Sequence, residues 1–349
     1  MYHFIIFLIS LILVYLLTFI ARRIAIAINF IDNPDERKFH TTPTPLLGGV
    51  AILFGLIFVL FISIFICKDL IPPIYELIFF YIGLILICFL GLFDDYQEMN
   101  PYIKFSIQIF IALLFIFGTK MSTILGPFYI SIPVLLIWIV GLMNALNFLD
   151  NMDGITAGMA TILGFGYFAL GILSHNHFLS FISAIFIGST LGFLFHNFHP
   201  AKIFLGDAGS MLIGYTLSAL GIILLKEIPR NFSLLLPILL LSYAIFDISL
   251  VSLTRQRDGR GILEGGKDHS THRIGTATGS VKVTAVMVYL INILIVIITV
   301  IAFVTENQFL ILVTTIIFAL VFIFFGGKLD AIPILISKNQ LRKKTKKSL

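Results

Sequence analysis

Adjacent carboxylates end one long apolar stretch of the sequence, where Asp94 and Asp95 follow Phe93. Two carboxylates beside an apolar segment are electrostatically costly unless a cation or a basic group lies near them. A divalent metal site is one interpretation, and a pair of solvated carboxylates at a helix end is the other. Lys104 follows Pro101 at a predicted helix start, so it either lies near an anion site or marks the boundary of the apolar segment.

Polar residues spaced three apart form a second motif, in which Asn147, Asp150 and Asp153 precede Gly154. Residues at this spacing share one face at the end of a helix, so their side chains can point to one place. Gly154 permits a turn or a close approach of the backbone to a ligand. A solvated helix cap explains one aspartate, but it explains poorly the asparagines Asn144 and Asn147 inside an apolar stretch. We therefore predict a polar binding site at this motif.

A third motif places Asp207 between Gly206 and Gly209 at the start of an apolar stretch. Backbone amides at a glycine-rich helix start can bind phosphate, and the carboxylate can bind Mg²⁺ through its oxygens. The alternative is an aspartate that caps the helix, a device worth about 1 kcal/mol. Beside the other aspartates, the metal ligand is the interpretation that we favour.

The hydrophilic stretch 255–282 is basic and contains His269, His272 and Arg273. Such side chains suit phosphate oxygens, to which they donate charge-assisted hydrogen bonds. Two histidines three residues apart could instead bind zinc, but no cysteine accompanies them and the nearby carboxylates favour a hard cation. A plain solvated loop is the remaining alternative.

The composition is that of an integral membrane protein, because 59% of the 349 residues are hydrophobic, 12% are charged and the mean hydropathy is +1.06. A helix needs about 20 residues to cross the hydrocarbon core, and apolar runs near this length recur along the chain. Alternating strand patterns are absent, so we predict an all-α polytopic protein. The eleven predicted spans are 4–20, 46–66, 74–93, 103–118, 131–149, 155–173, 178–195, 208–225, 231–253, 281–304 and 308–326. The weakest of them are 103–118 and 208–225.

Basic residues decide the predicted orientation. With eleven spans the termini lie on opposite sides, and a cytoplasmic C-terminus puts 19 Lys and Arg residues inside and four outside. The N-terminus is then outside, and the acidic and histidine motifs share the cytoplasmic face although the assignment used none of them. The predicted cytoplasmic loops are 21–45, 94–103, 150–155, 196–207 and 254–282. We predict one transmembrane catalytic domain over 1–326 and a basic cytoplasmic tail over 327–349, which we interpret as lying near anionic lipid.

At these motifs the sequence resembles the polyprenyl-phosphate N-acetylhexosamine-1-phosphate transferases of glycosyltransferase family 4, over roughly residues 30–300. The segments that carry the resemblance are Asp32 to His40 with Pro43, Pro45, Gly48 and Gly49, then Asp94 with Asp95, Asn144 to Gly154, Phe204 to Ser210, and Asp268 to Arg273. The family includes bacterial enzymes that start O-antigen, enterobacterial common antigen and teichoic-acid linkage synthesis.

The resemblance implies a UDP-sugar donor, a lipid phosphate acceptor such as undecaprenyl phosphate, and UMP as the leaving group. It implies Mg²⁺ as the cofactor, with Mn²⁺ as an alternative. It also implies a multi-pass protein of the bacterial inner membrane with its active site on the cytoplasmic face. The expected partners are the two substrates and the lipid bilayer, without nucleic acid, and a homodimer is left open.

The resemblance further implies roles for single residues. Asp207 matches a magnesium ligand, Asp94 matches a residue near the acceptor phosphate, and Asp153 and Asn197 match residues of the nucleotide site. The complete candidate set is Asp94, Asp95, Lys104 and Asp207 as catalytic residues, of which Asp95 and Asp207 are metal ligands, and Lys38, His40, Asn147, Asp150, Asp153, Asn197, His269, His272 and Arg273 as substrate-binding residues.

The histidine motif favours one branch of the family. The peptidoglycan branch, which takes UDP-MurNAc-pentapeptide, carries three consecutive histidines followed by an aromatic residue and an acid. Here the stretch from His269 to Arg273 reads His-Ser-Thr-His-Arg, which favours GlcNAc-1-phosphate transfer and leaves the pentapeptide donor as the alternative. A secondary transporter is the alternative from another class, but its acidic site would lie near the middle of the bilayer rather than at one edge.

Overall fold

A computed structural model of the chain describes residues 2–33, 43–66, 74–227, 234–261, 266 and 268–332. The predicted substrate-binding residues Lys38 and His40 lie outside the described residues. The helices in the described part are α1 (Tyr2–Ala27), α2 (Gly48–Ile66), α3 (Ile74–Tyr96), α4 (Pro101–Gly118), α5 (Phe128–Leu149), α6 (Ile155–Leu173), α7 (His177–Asn197), α8 (Gly206–Glu227), α9 (Leu235–Leu240), α10 (Ser242–Arg257), α11 (Ser270–Thr278), α12 (Val281–Val304) and α13 (Gln308–Asp330). The strands described are β1 (Ile31–Asp32) and β2 (Thr44–Pro45). The all-α polytopic prediction is confirmed.

Nine of the described helices are long and apolar enough to cross a membrane, and α2 is apolar over the shorter stretch Gly48–Ser63. The predicted span 231–253 is not one continuous helix. It contains α9 and α10, which meet at Leu241, where the backbone leaves the α-helical conformation with φ −96° and ψ 13°. The number of crossings and the orientation of the chain therefore stay predictions.

Several helices extend beyond the apolar runs that predicted them. Helix α3 continues to Tyr96, so Asp94 and Asp95 lie in its last turn rather than in a loop 94–103. Helix α13 continues to Asp330, past the predicted end at 326. The stretch 254–282, predicted as a loop, contains the short helix α11. Hydropathy reports where a chain meets lipid, whereas a helix ends where its backbone hydrogen bonds end, so the two boundaries differ.

Helix α8 is the centre of the helix bundle. It packs against α2, α3, α5 and α6, and residues 208–225 of this helix are all buried. A helix surrounded by protein can carry glycines, serines and threonines that let neighbouring backbones approach closely. At Gly214, for example, an added Cβ would lie 2.6 Å from the Leu142 carbonyl oxygen. The weak hydropathy of span 208–225 thus reflects its central position.

Strands β1 and β2 form a short antiparallel hairpin, which is hydrogen-bonded to the segment just before α8. Ile31 pairs with Pro45 and Asp32 with Thr44, and the Pro45 carbonyl accepts from the Phe204 amide at 2.8 Å. The first amides of α2 in turn donate to the carbonyls of Phe204 and Leu205, each at 3.0 Å. These bonds satisfy amides at the α2 N-terminus and hold the segment before α8 against the hairpin.

Candidate active site

A cavity of about 490 Å³ lies where the hairpin, the segment before α8 and the 150–154 turn meet. Its polar lining includes four of the predicted aspartates. The lining residues are Asp32, Leu46, Asp95, Asp150, Asn151, Met152, Asp153, Asn197, His199, Phe204, Leu205, Gly206, Asp207, Gly266, His272 and Val281. The motifs that were separate in the sequence therefore share one site.

Asp95 caps the N-terminus of α8. Its two carboxylate oxygens accept from the backbone amides of Asp207 at 2.9 Å and Ala208 at 3.2 Å. Gly206 makes this approach possible, because its φ is +68° and an added Cβ would lie 2.4 Å from Asp95 Oδ2. The negative charge of Asp95 also complements the positive end of the helix dipole. The glycine before Asp207 is therefore needed for the contact between Asp95 and the start of α8.

Lys104 lies between two of the predicted aspartates. Its ammonium nitrogen is 2.6 Å from Asp94 Oδ2 and 2.6 Å from Asp207 Oδ2. The Met99 amide donates to Asp94 Oδ1 at 2.7 Å, which fixes the carboxylate at the end of α3. Lys104 is thus bonded to the carboxylate cluster rather than a marker of the membrane boundary alone, and α3, α4 and α8 meet at its ammonium group.

Asn147 orients the same aspartate from α5. Its side-chain amide donates to Asp207 Oδ1 at 2.9 Å and to Ser210 Oγ at 3.0 Å. Ser210 Oγ donates in turn to the Gly206 carbonyl at 3.0 Å. With Lys104 on the other carboxylate oxygen, Asp207 is held from two sides in a single orientation.

The 150–154 turn is bonded to the segment after α7. Asp153 Oδ2 accepts from His199 Nδ1 at 2.6 Å and from the Ala201 amide at 3.0 Å. Asn197 bridges the same two segments, since its Oδ1 accepts from the Gly154 amide at 3.1 Å and its Nδ2 donates to the Ile203 carbonyl at 3.0 Å. His199 was not among the predicted site residues, although it follows the predicted Asn197 by two positions.

The turn predicted at Gly154 is confirmed. Its φ of +75° lies in the left-handed region, and its carbonyl accepts from the Tyr289 hydroxyl at 2.6 Å. An added Cβ would lie 3.2 Å from that hydroxyl oxygen, so α12 leaves little room at this turn. The turn is thereby fixed from the α12 side as well as from the α7 side.

Asp150 lies at the end of α5 and lines the cavity. Burial raises the pKa of Asp150 to about 8, and the charges of Asp207, Asp95 and Asp153 act in the same direction. A carboxyl group close to other carboxylates is stabilised in its protonated form. The cavity is therefore an acidic site that a bound cation would stabilise.

The stretch around α11 reaches the cavity through two residues, Gly266 and His272. Thr271 Oγ1 donates to Asn151 Oδ1 at 2.8 Å, which joins the start of α11 to the 150–154 turn. Residues 268–274 are buried against the bundle. The plain solvated loop, one of the alternatives for 255–282, therefore does not describe this part of the stretch.

His269 and Arg273 point into the protein and do not line the cavity among the described residues. His269 Nδ1 is 2.8 Å from Asp247 Oδ2, and Asp247 Oδ1 also accepts from the Ser270 amide at 2.7 Å. Arg273 is 1% exposed and donates to groups of α10 and α13. Substrate binding by His269 and Arg273 stays a prediction. Because both side chains are buried and bonded to other protein groups, neither is placed in this structure to contact a substrate in the cavity.

Asp268 is the centre of a buried arginine cluster. Arg255 donates to both of its oxygens at 2.9 Å, and Arg260 donates to Oδ2 at 2.7 Å. Burial alone would raise the pKa of Asp268, but the hydrogen bond and charge of Arg255 outweigh it and hold the pKa at about 2. The carboxylate therefore stays charged at neutral pH and fixes the two arginines.

The carboxylates of the cavity suit a Mg²⁺ ion that binds one or two of them and takes its other ligands from water and substrate. In the described part of the chain, no group of three or more His, Cys, Asp and Glu residues is arranged to hold a metal ion. Mg²⁺ typically binds one or two carboxylates and completes its octahedron with water and substrate phosphates. Asp207 and Asp95 both line the cavity and suit that role, although both Asp95 oxygens already accept backbone hydrogen bonds.

Known proteins resemble the chain over most of its length. Residues 77–225 match the model of glycosyl transferase family 4. The chain is 34% identical over 296 residues to the "Probable undecaprenyl-phosphate N-acetylglucosaminyl 1-phosphate transferase" of Bacillus subtilis, with 82% of this chain and 81% of the relative covered. It is 32% identical over 316 residues to the decaprenyl-phosphate N-acetylglucosaminephosphotransferase of Mycobacterium tuberculosis, with 80% and 77% covered.

A relative named for a different donor covers less of the chain. The phospho-N-acetylmuramoyl-pentapeptide-transferase of Staphylococcus carnosus is 30% identical over 249 residues, which span 65% of this chain and 76% of the relative. The aspartates that meet at the cavity and the similarity over four fifths of the sequence lead to the same assignment. The chain belongs to glycosyl transferase family 4, among the polyprenyl-phosphate N-acetylhexosamine-1-phosphate transferases.

Proposed function

We propose that the protein transfers GlcNAc-1-phosphate from UDP-GlcNAc to undecaprenyl phosphate, which yields undecaprenyl-diphosphate-GlcNAc and UMP. The observation that carries the proposal is the Lys104 ammonium between Asp94 and Asp207, at the edge of a cavity lined by further aspartates. Such a site combines one fixed cation with carboxylates that can hold a second, metallic one. This combination suits two substrates that both carry phosphate charge.

The proposed reaction is a direct displacement. An oxygen of the acceptor phosphate attacks the donor's β-phosphorus, the bond from that phosphorus to the bridging oxygen breaks, and UMP leaves with the bond's electron pair. Mg²⁺ bound at Asp207 would neutralise charge on the donor diphosphate and on the leaving UMP. Lys104 orients Asp207 and supplies positive charge on the Asp94 side.

Asp94 is proposed to act on the acceptor. A phosphate monoester has its second pKa near 6, so it is already largely deprotonated near neutral pH. Asp94 would orient it or remove a remaining proton, and its position at the end of α3 suits a lipid phosphate that arrives from the bilayer. General-base assistance of this kind is typically worth about 10²- to 10⁴-fold in rate.

The donor is proposed to occupy the cavity between the 150–154 turn and α11. Asp153, Asn197 and His199 form one wall, and His272 lies on the stretch that forms another. Because Asp153 and His199 are joined by a hydrogen bond of 2.6 Å, the nucleotide would meet them as one preformed unit. Nucleotide sugars come from the cytosol, so this site would face the cytoplasm at the inner membrane.

The sugar is proposed to be GlcNAc because the relatives named for GlcNAc-phosphate transfer cover more of the chain than the pentapeptide-named relative. The product would start a cell-envelope polysaccharide, for which cell-wall teichoic acid and lipopolysaccharide are both candidates. Mn²⁺ would serve in place of Mg²⁺, since both accept carboxylate oxygen ligands. A homodimer is compatible with this scheme, in which one chain supplies all the residues named.

A donor panel tests the proposal. Purified protein would receive undecaprenyl phosphate and Mg²⁺ with UDP-GlcNAc, its C4 epimer UDP-GalNAc or UDP-MurNAc-pentapeptide, and lipid-linked product would be measured. We expect UDP-GlcNAc to give the highest kcat/KM. Preference for the pentapeptide donor would contradict the proposal, and uptake of a solute into proteoliposomes without UMP release would instead support a transporter.

A further inference from the structure

The C-terminal end of α13 lies against the stretch that carries His272. Asp330, the last residue of α13, is bonded to two arginines and one threonine of other segments. Its Oδ1 accepts from Arg273 Nη1 at 3.0 Å and from Arg257 Nη2 at 3.2 Å, and its Oδ2 accepts from Arg257 Nη1. This helix end therefore forms ionic contacts with both α10 and α11.

Arg273 joins the end of α13 to the donor side of the cavity. Its guanidinium donates to the Leu329 carbonyl and to Asp330 in α13, to Thr254 Oγ1 in α10, and to the Asp268 carbonyl just before α11. Arg273 is 1% exposed, and four of its five N–H groups are engaged by the protein. It can therefore act on the substrates only through the segment that it holds.

That segment has two faces. On one face Thr271 is bonded to Asn151 of the cavity wall, and His272 lines the cavity. On the other face Arg273 is bonded to α13. A displacement of the Arg273 side would therefore move His272 relative to the 150–154 turn, since the three residues are consecutive on α11.

We infer that Asp330 is a positioning residue, which fixes α11 through Arg273 so that the cavity keeps the shape needed by the nucleotide-sugar donor. The inference rests on the proposed function and adds to it a contribution from helix α13. The acceptor side, formed by Asp94 and Lys104 on α3 and α4, has no described contact with Asp330 or with its partners Arg257 and Arg273. Loss of Asp330 should thus affect the two substrates unequally.

Asp330→Asn is the main test, because it removes the charge and keeps the size of the side chain. We expect the KM for UDP-GlcNAc to rise about tenfold, a change equivalent to about 1.4 kcal/mol. The KM for undecaprenyl phosphate and the kcat should change less than twofold. Asp330→Glu should restore part of the donor affinity, because it restores the charge on a longer stem.

Asp258→Asn is the matched control. Asp258 shares the partner Arg257 with Asp330. It lies 3.9 Å from Arg257 Nε and 3.6 Å from Arg260 Nη2, but it makes no described contact with Arg273. Its loss removes the same charge from the same surface. We expect its donor KM to equal that of the wild-type protein.

Four outcomes would overturn the inference. The first is a wild-type donor KM in Asp330→Asn, the second is an equal change in both KM values, and the third is a change in kcat alone. The fourth is failure of both Asp330→Asn and Asp330→Glu to yield folded protein, which would make Asp330 a residue of general stability. Wild-type protein that fails to release UMP from UDP-GlcNAc would instead overturn the proposed function, and this inference with it.

Discussion

The ammonium nitrogen of Lys104 lies 2.6 Å from Asp207 Oδ2, although the two residues are 103 positions apart in the chain. The same nitrogen lies 2.6 Å from Asp94 Oδ2, so one cation joins two carboxylates of different helices. Removing the counter-ion of a carboxylate in a partly buried site strongly lowers the free energy of unfolding, because the remaining charge is left uncompensated. Lys104 therefore stabilises the fold of the site and, in the proposed reaction, contributes to catalysis.

Replacement of Lys104 by methionine removes the cation and keeps the length of the side chain. We expect turnover to fall by at least about 10²-fold, the typical loss when one electrostatic contact of an active site is removed. In EDTA the unfolding temperature should also fall, and Mg²⁺ should raise it more than in the wild-type protein, because a metal can replace the missing charge. Calorimetry or a thermal-shift assay measures both effects.

The exposed Lys202 serves as the control for this change. Lys202→Met should leave the response to Mg²⁺ at the wild-type level. Equal Mg²⁺ stabilisation of Lys104→Met and the wild-type protein would show that the ammonium group and the metal do not share the carboxylates.

Gly206 allows a second prediction with a close control. Gly206→Ala should abolish most activity, because its Cβ would lie 2.4 Å from Asp95 Oδ2 and displace that carboxylate from the α8 amides. Gly259 has nearly the same left-handed φ, +67°, but nothing lies within 4 Å of its added Cβ. Both alanine variants carry the conformational cost of about 1–2 kcal/mol, so only the Asp95 contact distinguishes them. Steady-state rates that fall equally in the two variants would exclude a special role for this contact.

Asp150 predicts a pH dependence of stability. Its pKa is raised to about 8 in the folded protein, so the folded state holds a proton that the unfolded chain loses above about pH 4. Stability from this group therefore falls as the pH rises from about 4 to 8 and then levels off. Between pH 6 and pH 8 the effect is at most about 1.4 kcal/mol per pH unit.

Asp150→Asn removes this titration. In EDTA, the unfolding temperature of the wild-type protein should fall more than that of Asp150→Asn between pH 6 and pH 9. Parallel curves for the two proteins would mean that the pKa of the Asp150 carboxyl group is not raised in the folded protein.

The order of the chemistry gives a fourth prediction. Direct displacement needs both substrates, so enzyme freed of lipid phosphate should release no UMP from UDP-GlcNAc and Mg²⁺. A covalent route would instead make an aspartate the nucleophile and release UMP before the lipid binds. Quenched-flow measurement of UMP, with mass analysis of the intact protein, distinguishes the two. A stoichiometric burst with sugar phosphate bound to the protein would contradict direct displacement.

The meeting of Asp95, Asp150, Asp153 and Asp207 at one cavity could be predicted from the sequence, because the distribution of basic residues placed their segments on one face. The hydropathy pattern also predicted the helical class, since every spanning backbone must satisfy its own hydrogen bonds. Polar residues between apolar runs are thus informative about where a site forms.

The inward orientation of Arg273 and His269 could not be predicted in the same way. A basic stretch looks alike in sequence whether its charges meet phosphate or buried carboxylates, and the partners Asp330 and Asp247 lie on other helices. The pairing of His199 with Asp153 was missed for a similar reason. Such contacts depend on how helices pack, which hydropathy and residue spacing do not report.

Transfer of the sugar together with its β-phosphate is the central claim, and an isotope label at that phosphorus tests it directly. Purified wild-type protein would be incubated with β-³²P-labelled UDP-GlcNAc, undecaprenyl phosphate and Mg²⁺, with Asp207→Asn in parallel. We predict that the label enters the lipid fraction with one equivalent of unlabelled UMP released, and that Asp207→Asn loses most of this activity. Release of labelled UDP with an unlabelled glycolipid would contradict this claim, because the enzyme would then transfer the sugar alone.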